Sequence, residues 1–240
     1  CLLDIKGVAK FYISEGRTVI YESYSKCEEC EIFAFVTTVV TGILLLQQKC
    51  FLLHASAVQI NGKAILLSVD SCAGKSVLAT KLVLGGANFI ADEICLLGFN
   101  DEGKPFVEPG FPFVRLWQDM ITAMNVDPGK VGILRSGLEK YYMDFQDKKN
   151  ISSVEVSSLF FIRKSFEKST IKMSCKRFGI DKFKYVIQAV YKGDLAEAML
   201  GKKIMMDNVA KLAQHCDVFE LIRLEGRNSI DTLSDEITGL

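Results

Sequence analysis

The sequence has no excess of charge of either sign, because 29 lysines and arginines balance 29 aspartates and glutamates. Such a balance gives no electrostatic reason to expect nucleic acid or an anionic membrane surface as a partner. Histidine is also scarce, with two residues in the chain. The cysteines Cys27 and Cys30 have redox-motif spacing, but no second such pair or histidine pair completes a zinc site. These absences argue against a polybasic DNA-binding protein and against a structural zinc domain.

The sequence also lacks the features of a secreted, disulfide-rich protein and of a membrane-spanning protein. Eight cysteines in 240 residues are too sparse and irregular for a disulfide scaffold, and no stretch has the features of a secretory signal. We therefore predict a reducing, cytoplasmic location. The apolar run 32–46 is shorter than the ~20 residues that a membrane span needs, and threonines and Gly42 interrupt it. A buried core helix is the better prediction for this run, with no membrane partner.

The most informative segment that is present lies between an apolar run and a helix-competent stretch. Gly-Lys-Ser at a strand-to-helix turn supplies backbone N–H groups, a cation and a hydroxyl, which together suit a nucleotide triphosphate with Mg²⁺. Lys75 would reach the β/γ-phosphates and Ser76 the metal. A plain strand–turn–helix without a ligand is the alternative. The predicted phosphate-binding residues are Asp70, Ser71, Cys72, Ala73, Gly74, Lys75, Ser76 and Val77.

An acidic pair follows soon after this segment. Residues 88–91 are predicted as a strand that leads into Asp92 and Glu93. Magnesium-dependent phosphoryl transfer needs one carboxylate to hold the metal and one to accept the proton of the attacking hydroxyl. Because successive strand residues point to opposite faces, both acids can serve only if the strand ends or twists there. A solvated acidic turn is the alternative interpretation.

A hairpin is predicted just before the phosphate segment. Asn61 and Gly62 separate two strand-like runs, 51–60 and the run that enters the loop, so these strands should be antiparallel. His54 lies in the first of these runs. Its side chain is therefore either a hydrogen-bonded core group or a member of the site.

The remaining segments carry weaker signals. We predict an N-terminal hairpin and buried helix over residues 1–48, packed on a second unit, 49–240, that carries the phosphate loop. The later predictions are a buried strand over 154–162, helices over 181–191 and 196–214, a strand over 217–224 and a short helix over 232–237. Cations between Arg163 and Lys176 form either a solvated strand edge or a surface for an acidic peptide.

Four ordered motifs together resemble the HPr serine kinase/phosphorylase C-terminal-domain superfamily, and more closely its stand-alone members, including lasso-peptide precursor kinases. The resemblance covers about residues 52–117 and implies an α/β fold related to phosphoenolpyruvate carboxykinase, with a mixed sheet, a phosphate loop and flanking helices. The motifs are Leu53-His54-Ala55-Ser56-Ala57-Val58, Asp70-Ser71-Cys72-Ala73-Gly74-Lys75-Ser76, Ala91-Asp92-Glu93 and Pro109-Gly110-Phe111-Pro112-Phe113-Val114-Arg115-Leu116-Trp117.

The resemblance also implies roles for individual residues. Asp92 matches the acid that serves as base toward a substrate serine, while Glu93 matches a second acid at the metal with Ser76. The family commonly has aspartate at the second position, so Glu93 is a longer-armed variant. His54 matches a histidine at the rim of the site. Arg115 falls in a less well understood motif, where a role near phosphate or substrate and a core-edge ion pair are equally open.

The implied activity is ATP- and Mg²⁺-dependent transfer to a Ser or Thr hydroxyl of a peptide or protein, such as a lasso-type precursor. A kinase for free serine and a non-catalytic nucleotide-binding subunit of a peptide-modifying complex are the alternatives. Val69 and Cys72 replace glycines typical of the family loop, and the glycine-rich signature of the bifunctional HPr enzymes is not found. A homo-oligomer is possible by analogy with the relatives.

Overall fold

The computed structural model describes residues 1–69, 74–124, 126, 131–135, 139–150, 152–165, 174–224 and 229–239. The strands are β1 (Leu2–Ile5), β2 (Ala9–Ser14), β3 (Thr18–Ser23), β4 (Phe51–Leu53), β5 (Ala55–Ile60), β6 (Lys63–Val69), β7 (Asn88–Ala91), β8 (Cys95–Phe99), β9 (Pro105–Val107), β10 (Phe113–Trp117), β11 (Val131–Arg135), β12 (Lys140–Asp144), β13 (Val154–Ser165), β14 (Ser174–Arg177) and β15 (Asp217–Leu224). The helices are α1 (Glu29–Phe35), α2 (Thr41–Gln47), α3 (Lys75–Leu84), α4 (Gln118–Ala123), α5 (Gly179–Ala189), α6 (Gly193–Leu200), α7 (Lys202–His215) and α8 (Ser229–Thr238). A π-helical turn, Val36–Val40, joins α1 to α2.

The main sheet is mixed. Its strand order is β4-β8-β9-β13-β6-β5-β7, with β15 beside β13 and β14 beside β15. Strands β6 and β15 run parallel to β13, whereas β5 is antiparallel to β6 and β7. The predicted mixed α/β architecture with flanking helices is therefore confirmed.

The strand that leads to the phosphate segment is buried on both faces. Along β6, Leu66 joins the core beneath α5 and α7, while its neighbour Leu67 joins the opposite core beneath α3. The Asn-Gly hairpin is confirmed, because Ile60 pairs with Lys63 across the turn. Asn61 and Gly62 both have positive φ there, of 50° and 79°, as a two-residue hairpin turn requires.

The N-terminal segment has a small sheet of its own, in the order β1-β2-β3. The predicted hairpin is formed by β2 and β3, while β1 was not predicted. Alternate residues of β2, among them Phe11 and Ile13, are buried with Val40 and Ile43 of the helix that follows. A division of the chain at residue 48 stays a prediction.

The apolar run forms a helix that is longer than predicted, over Glu29–Gln47, or 19 residues. By length and composition alone it could cross a membrane, a test that core helices of soluble proteins also pass. The prediction of a buried helix holds only in part. The π-helical turn and α2 bury residues such as Val40 and Leu46, whereas α1 is half-buried or exposed along its length.

Two element predictions need correction. The helix predicted over 196–214 is two helices, α6 and α7, because Gly201 between them has φ of 87°. The strand predicted over 51–60 is interrupted at His54. In the basic segment, Arg163 and Lys176 form ion pairs with Glu220 and Asp217, while Lys168 and Lys172 lie outside the described residues.

The close approach of the N-terminal helix to the core gives a stability prediction. A Cβ added at Gly42 would lie 2.5 Å from a ring carbon of the buried Tyr191. We expect Gly42→Ala to destabilise the protein by about 1–3 kcal/mol through overpacking, although helix propensity alone favours alanine by about 1 kcal/mol. Chemical denaturation measures the change. Gly193→Ala is the control, because a Cβ there meets nothing within 4 Å; equal stability of the two variants would contradict the prediction.

Candidate active site

The backbone conformation at the start of α3 favours glycine. Gly74 has φ of 94°, in the region that side chains disfavour. A Cβ at this position would lie 2.5 Å from Nη1 of Arg223 on β15, a flexible side-chain end that can move aside, so the positive φ is the main reason. Lys75 and Ser76 then form the first turn of α3, with the Gly74 carbonyl accepting from the amide of Leu78 at 2.9 Å.

Part of the predicted cradle falls outside the described residues, namely Asp70, Ser71, Cys72 and Ala73. Val69 before them is the last residue of β6 and is buried in the core beneath α3, in register with Ile162 of β13. Phosphate binding by the loop backbone therefore stays a prediction. The described part of the site begins at Gly74.

The acidic pair lies where the chain turns sharply. Strand β7 ends at Ala91, and Glu93 has φ of 70°, a conformation that costs a non-glycine residue about 1 kcal/mol or more. As a result both carboxylates face the same amine: Lys75 Nζ lies 2.6 Å from Glu93 Oε1 and 3.7 Å from Asp92 Oδ1. The end of the strand thus meets the condition under which both acids could serve.

Asp92 is the buried centre of the site, with 1% of its side chain exposed. Ser76 Oγ lies 2.9 and 3.1 Å from its two carboxylate oxygens. Ser56 Oγ donates to Oδ1 at 2.5 Å, and the backbone amide of Arg115 donates to Oδ2 at 3.2 Å. Donors from β5, α3 and β10 therefore converge on one carboxylate.

Glu93 is more open than Asp92 and connects the buried lysine to the surface. Its side chain is 26% exposed, and its Oε2 lies 3.3 Å from His54 Nε2. Burial alone would favour the neutral acid, but Lys75 and His54 outweigh burial and hold the pKa of Glu93 well below its ordinary value. Burial likewise opposes the charge of Lys75, yet Asp92 and Glu93 raise the pKa of Lys75 above its ordinary value. The Lys75–Glu93 pair is therefore charged at neutral pH.

His54 reaches the site because it sits in the break between β4 and β5. Its amide donates to the Ala189 carbonyl at 2.8 Å, and its own carbonyl accepts from Ser68 Oγ at 2.9 Å. With its backbone groups satisfied, the ring extends to Glu93 and remains 40% exposed. The His54 ring therefore lies beside the acidic pair rather than within the core, and its membership of the site stays a prediction.

The contacts of Arg115 do not match the expected core-edge ion pair, while a role near phosphate or substrate stays a prediction. Its Nη2 donates to the carbonyl and hydroxyl oxygens of Thr37, at 3.1 and 2.8 Å. The ion pairs among the described residues do not include Arg115. Burial lowers the pKa of Arg115, opposed by the nearby carboxylates Asp92 and Glu93. The Arg115 amide thus contacts Asp92, while its guanidinium contacts Thr37 of the N-terminal helix.

Sequence reasoning missed three residues near the pair. Ser56 is a fully buried polar residue in an apolar strand, and this anomaly could have marked it. Lys140 lies opposite Trp117 in the β10–β12 pairing. Burial holds the pKa of Lys140 below its ordinary value, although the charge of Glu93 acts in the opposite direction. Burial and the charge of Glu93 raise the pKa of Tyr191 to about 12. The last two residues come from distant parts of the chain, and no sequence signal indicated them.

The oxygen atoms around Asp92 bear on the predicted metal. The described residues contain no group of three or more His, Cys, Asp or Glu side chains suited to hold an ion. Ser76 and Asp92 instead offer hydroxyl and carboxylate oxygens side by side. Magnesium prefers such oxygens and is commonly held by one or two carboxylates, waters and substrate phosphates. The residues present therefore fit Mg²⁺ brought in with a nucleotide.

No family model matches the chain, and no curated protein matches it. Among solved structures, the chain is similar to the Hpr(Ser) kinase/phosphatase from Coxiella burnetii, with 12% sequence identity and a TM-score of 0.42. The match covers 78% of this chain and 94% of that chain. At this identity and TM-score, the similarity does not establish what this chain does.

The charged Lys75–Glu93 pair predicts a pH-dependent stability. Because folding lowers the pKa of Glu93, its ionisation stabilises the fold above the ordinary carboxyl pKa of about 4.3, and the contribution is lost as pH falls through the folded-state value. We expect Glu93→Gln to be less stable than the parent at pH 7, with the difference shrinking below about pH 4. Urea denaturation at several pH values measures it.

Glu155→Gln is the matched control for this experiment. Glu155 Oε2 lies 2.7 Å from Lys63 Nζ, and both side chains are 49% exposed. Exposed pairs contribute about 0–1 kcal/mol, so this variant should resemble the parent throughout. A Glu93→Gln difference that does not change with pH would contradict the assigned charge state.

Proposed function

We propose that this chain is an ATP- and Mg²⁺-dependent kinase that phosphorylates a Ser or Thr hydroxyl of a peptide or protein. One observation carries the proposal: the first helical turn after Gly74 places Lys75 and Ser76 directly on two neighbouring acids. Lys75 contacts Glu93 at 2.6 Å, and Ser76 contacts Asp92 at 2.9 Å. A cation, a hydroxyl and two carboxylates at a helix N-terminus are the groups that phosphoryl transfer uses.

Ser76 and Asp92 would hold the metal in this proposal. When bound, Mg²⁺ neutralises charge on the phosphate oxygens and orients the triphosphate. Lys75 contributes a fixed positive charge at the same place, and the N-terminus of α3 adds its partial charge. Because Lys75 is 6% exposed and Asp92 is 1% exposed, water is excluded and these interactions are strengthened.

The geometry favours a different division of roles from the one that the family resemblance implies. Asp92 is enclosed by Ser56, Ser76 and the Arg115 amide, an environment that suits a metal-holding acid. Glu93 is partly exposed and faces His54, so an incoming hydroxyl can approach it. We assign proton acceptance to Glu93, with His54 orienting its carboxylate. The role of Asp92 as base stays the competing prediction.

The acceptor is proposed at the level of chemical class. The side chains of Glu93 and His54 are partly exposed, and we propose that the hydroxyl that reaches them belongs to a peptide, with free serine as the alternative. Each alternative has its own outcome in an assay with [γ-³²P]ATP, Mg²⁺, serine-bearing precursor peptides and free serine. Labelled peptide supports the proposal, labelled phosphoserine indicates the small-molecule kinase, and nucleotide binding without transfer indicates the non-catalytic subunit.

Lys75→Ala should reduce transfer by about 10²-fold or more, because it removes the cation at the phosphates. Lys81→Ala is the matched control, since Lys81 lies on the same helix but forms an ion pair with Asp231 at the surface. Lys81→Ala should keep parental activity in the ³²P assay. Equal activity of the two variants would overturn the assignment of the site.

Asp92→Asn and Glu93→Gln separate the roles of the two acids. We expect Asp92→Asn to raise the Mg²⁺ concentration for half-maximal activity, because the metal-holding oxygens are weakened. Glu93→Gln should lower kcat by about 10²- to 10⁴-fold, the usual contribution of a general base, with the Mg²⁺ dependence unchanged. The reverse pattern in Mg²⁺ titrations of kcat would restore Asp92 as the base.

A further inference from the structure

We infer that the N-terminal segment, residues 1–48, helps to position the active site. Thr37 of this segment positions Arg115, and Arg115 in turn positions Asp92. The inference rests on the proposed function for its kinetic consequences. Arg115 is a positioning residue here, since its guanidinium contacts the N-terminal helix while its backbone amide contacts Asp92, the acid proposed to hold the metal.

The contact with Thr37 has well-defined donors and acceptors. The Thr37 hydroxyl donates to the Phe33 carbonyl at 2.7 Å. Its lone pairs and the Thr37 carbonyl are then the acceptors for Arg115 Nη2, at 2.8 and 3.1 Å. One residue of the helix thus holds the guanidinium through two oxygens.

The burial of Arg115 shows that this contact is costly to maintain. Arg115 is 7% exposed, and its Nε has no hydrogen-bond partner among the described residues. Burying a charge that is not fully paired is strongly unfavourable. A methionine or leucine would fill the same space without that cost, so packing alone does not account for an arginine.

The helix is irregular at the residue that holds Arg115. Thr41 donates its amide to the Val36 carbonyl, five residues back, which defines the π-helical turn Val36–Val40 around Thr37. Such turns are rare and often occur at functional sites. A second, independent feature therefore marks the same place on the helix.

The link continues from the guanidinium to the acid through β10. The Phe113 ring lies 5.4 Å from the Arg115 guanidinium and 5.5 Å from the Phe33 ring, so β10 packs on the helix at two successive inward positions. The Arg115 amide on this strand donates to Asp92 Oδ2 at 3.2 Å. A displacement of the helix therefore moves a hydrogen-bond donor of Asp92.

A pair of neighbouring threonines provides a matched test. Thr37→Val removes the hydroxyl that accepts from Arg115, whereas Thr38→Val removes a hydroxyl that bonds the Ala34 carbonyl at 2.6 Å and does not contact Arg115. We expect Thr37→Val to lower kcat about tenfold, the effect of about 1.4 kcal/mol, and to raise the Mg²⁺ requirement. The acceptor KM should stay unchanged, and Thr38→Val should behave as the parent.

Arg115→Lys completes a double-mutant cycle with Thr37→Val. Lysine keeps the charge, but its side chain is one bond shorter than that of arginine, so its ammonium falls short of the two Thr37 oxygens that Nη2 contacts. If Thr37 acts through Arg115, Thr37→Val should have little further effect in the Arg115→Lys background. Additive effects, or a Thr37→Val variant equal to Thr38→Val, would overturn the inference. A changed KM for ATP in Arg115→Lys with a silent Thr37→Val would instead show that Arg115 contacts the substrate directly.

Two readouts keep this test separate from the test of the kinase proposal. The sole tryptophan, Trp117, lies two residues beyond Arg115 on β10, and its fluorescence is the probe with which Mg²⁺–ATP binding is measured without turnover. The unfolding free energies of the same four proteins give the Thr37–Arg115 coupling without any ligand. A parent that transfers no phosphate would refute the kinase proposal alone, whereas zero coupling in unfolding would refute the positioning link.

Discussion

The need to satisfy one buried carboxylate organises the site. Asp92 is almost fully enclosed, and an isolated buried charge is too costly to persist without donors. Its donors come from β5, from the first turn of α3 and from the backbone of β10. These elements are distant in sequence, and the β5–β6 hairpin, α3 and the small β10–β12–β11 sheet each contribute a donor to the same two carboxylate oxygens. A change in any of them alters Asp92.

The second constraint is local strain. Glu93 adopts a backbone conformation that glutamate disfavours, and the turn is closed by the Ile94 amide bonding the Asp92 carbonyl at 2.9 Å. The interactions that this turn allows compensate for the strain, because two consecutive carboxylates contact the one buried amine of Lys75. The result is a cluster in which Lys75 lies between the buried carboxylate of Asp92 and the partly exposed side chains of Glu93 and His54.

Local sequence signals predicted much of this arrangement. The Asn61-Gly62 turn, the strand 88–91 and the helix that follows the Gly-Lys-Ser turn depend on nearby residues, and each was found where expected. The break at His54 and the two helices separated by Gly201 were missed, because tertiary contacts and one positive φ override an apolar pattern. The partner of Arg115 could not have been predicted either, since Thr37 lies 78 positions away and accepts partly through its backbone.

The glutamate at position 93 has a consequence for side-chain reach. Aspartate tolerates the left-handed conformation more readily than glutamate does, so the longer residue occupies this turn at an energetic disadvantage. Its extra methylene carries the carboxylate about 1.5 Å further, and one oxygen then contacts Lys75 while the other contacts His54. A shorter acid would relax the backbone but give up one of those partners. The length of a single side chain thus sets whether the buried lysine and the half-exposed histidine belong to one electrostatic unit.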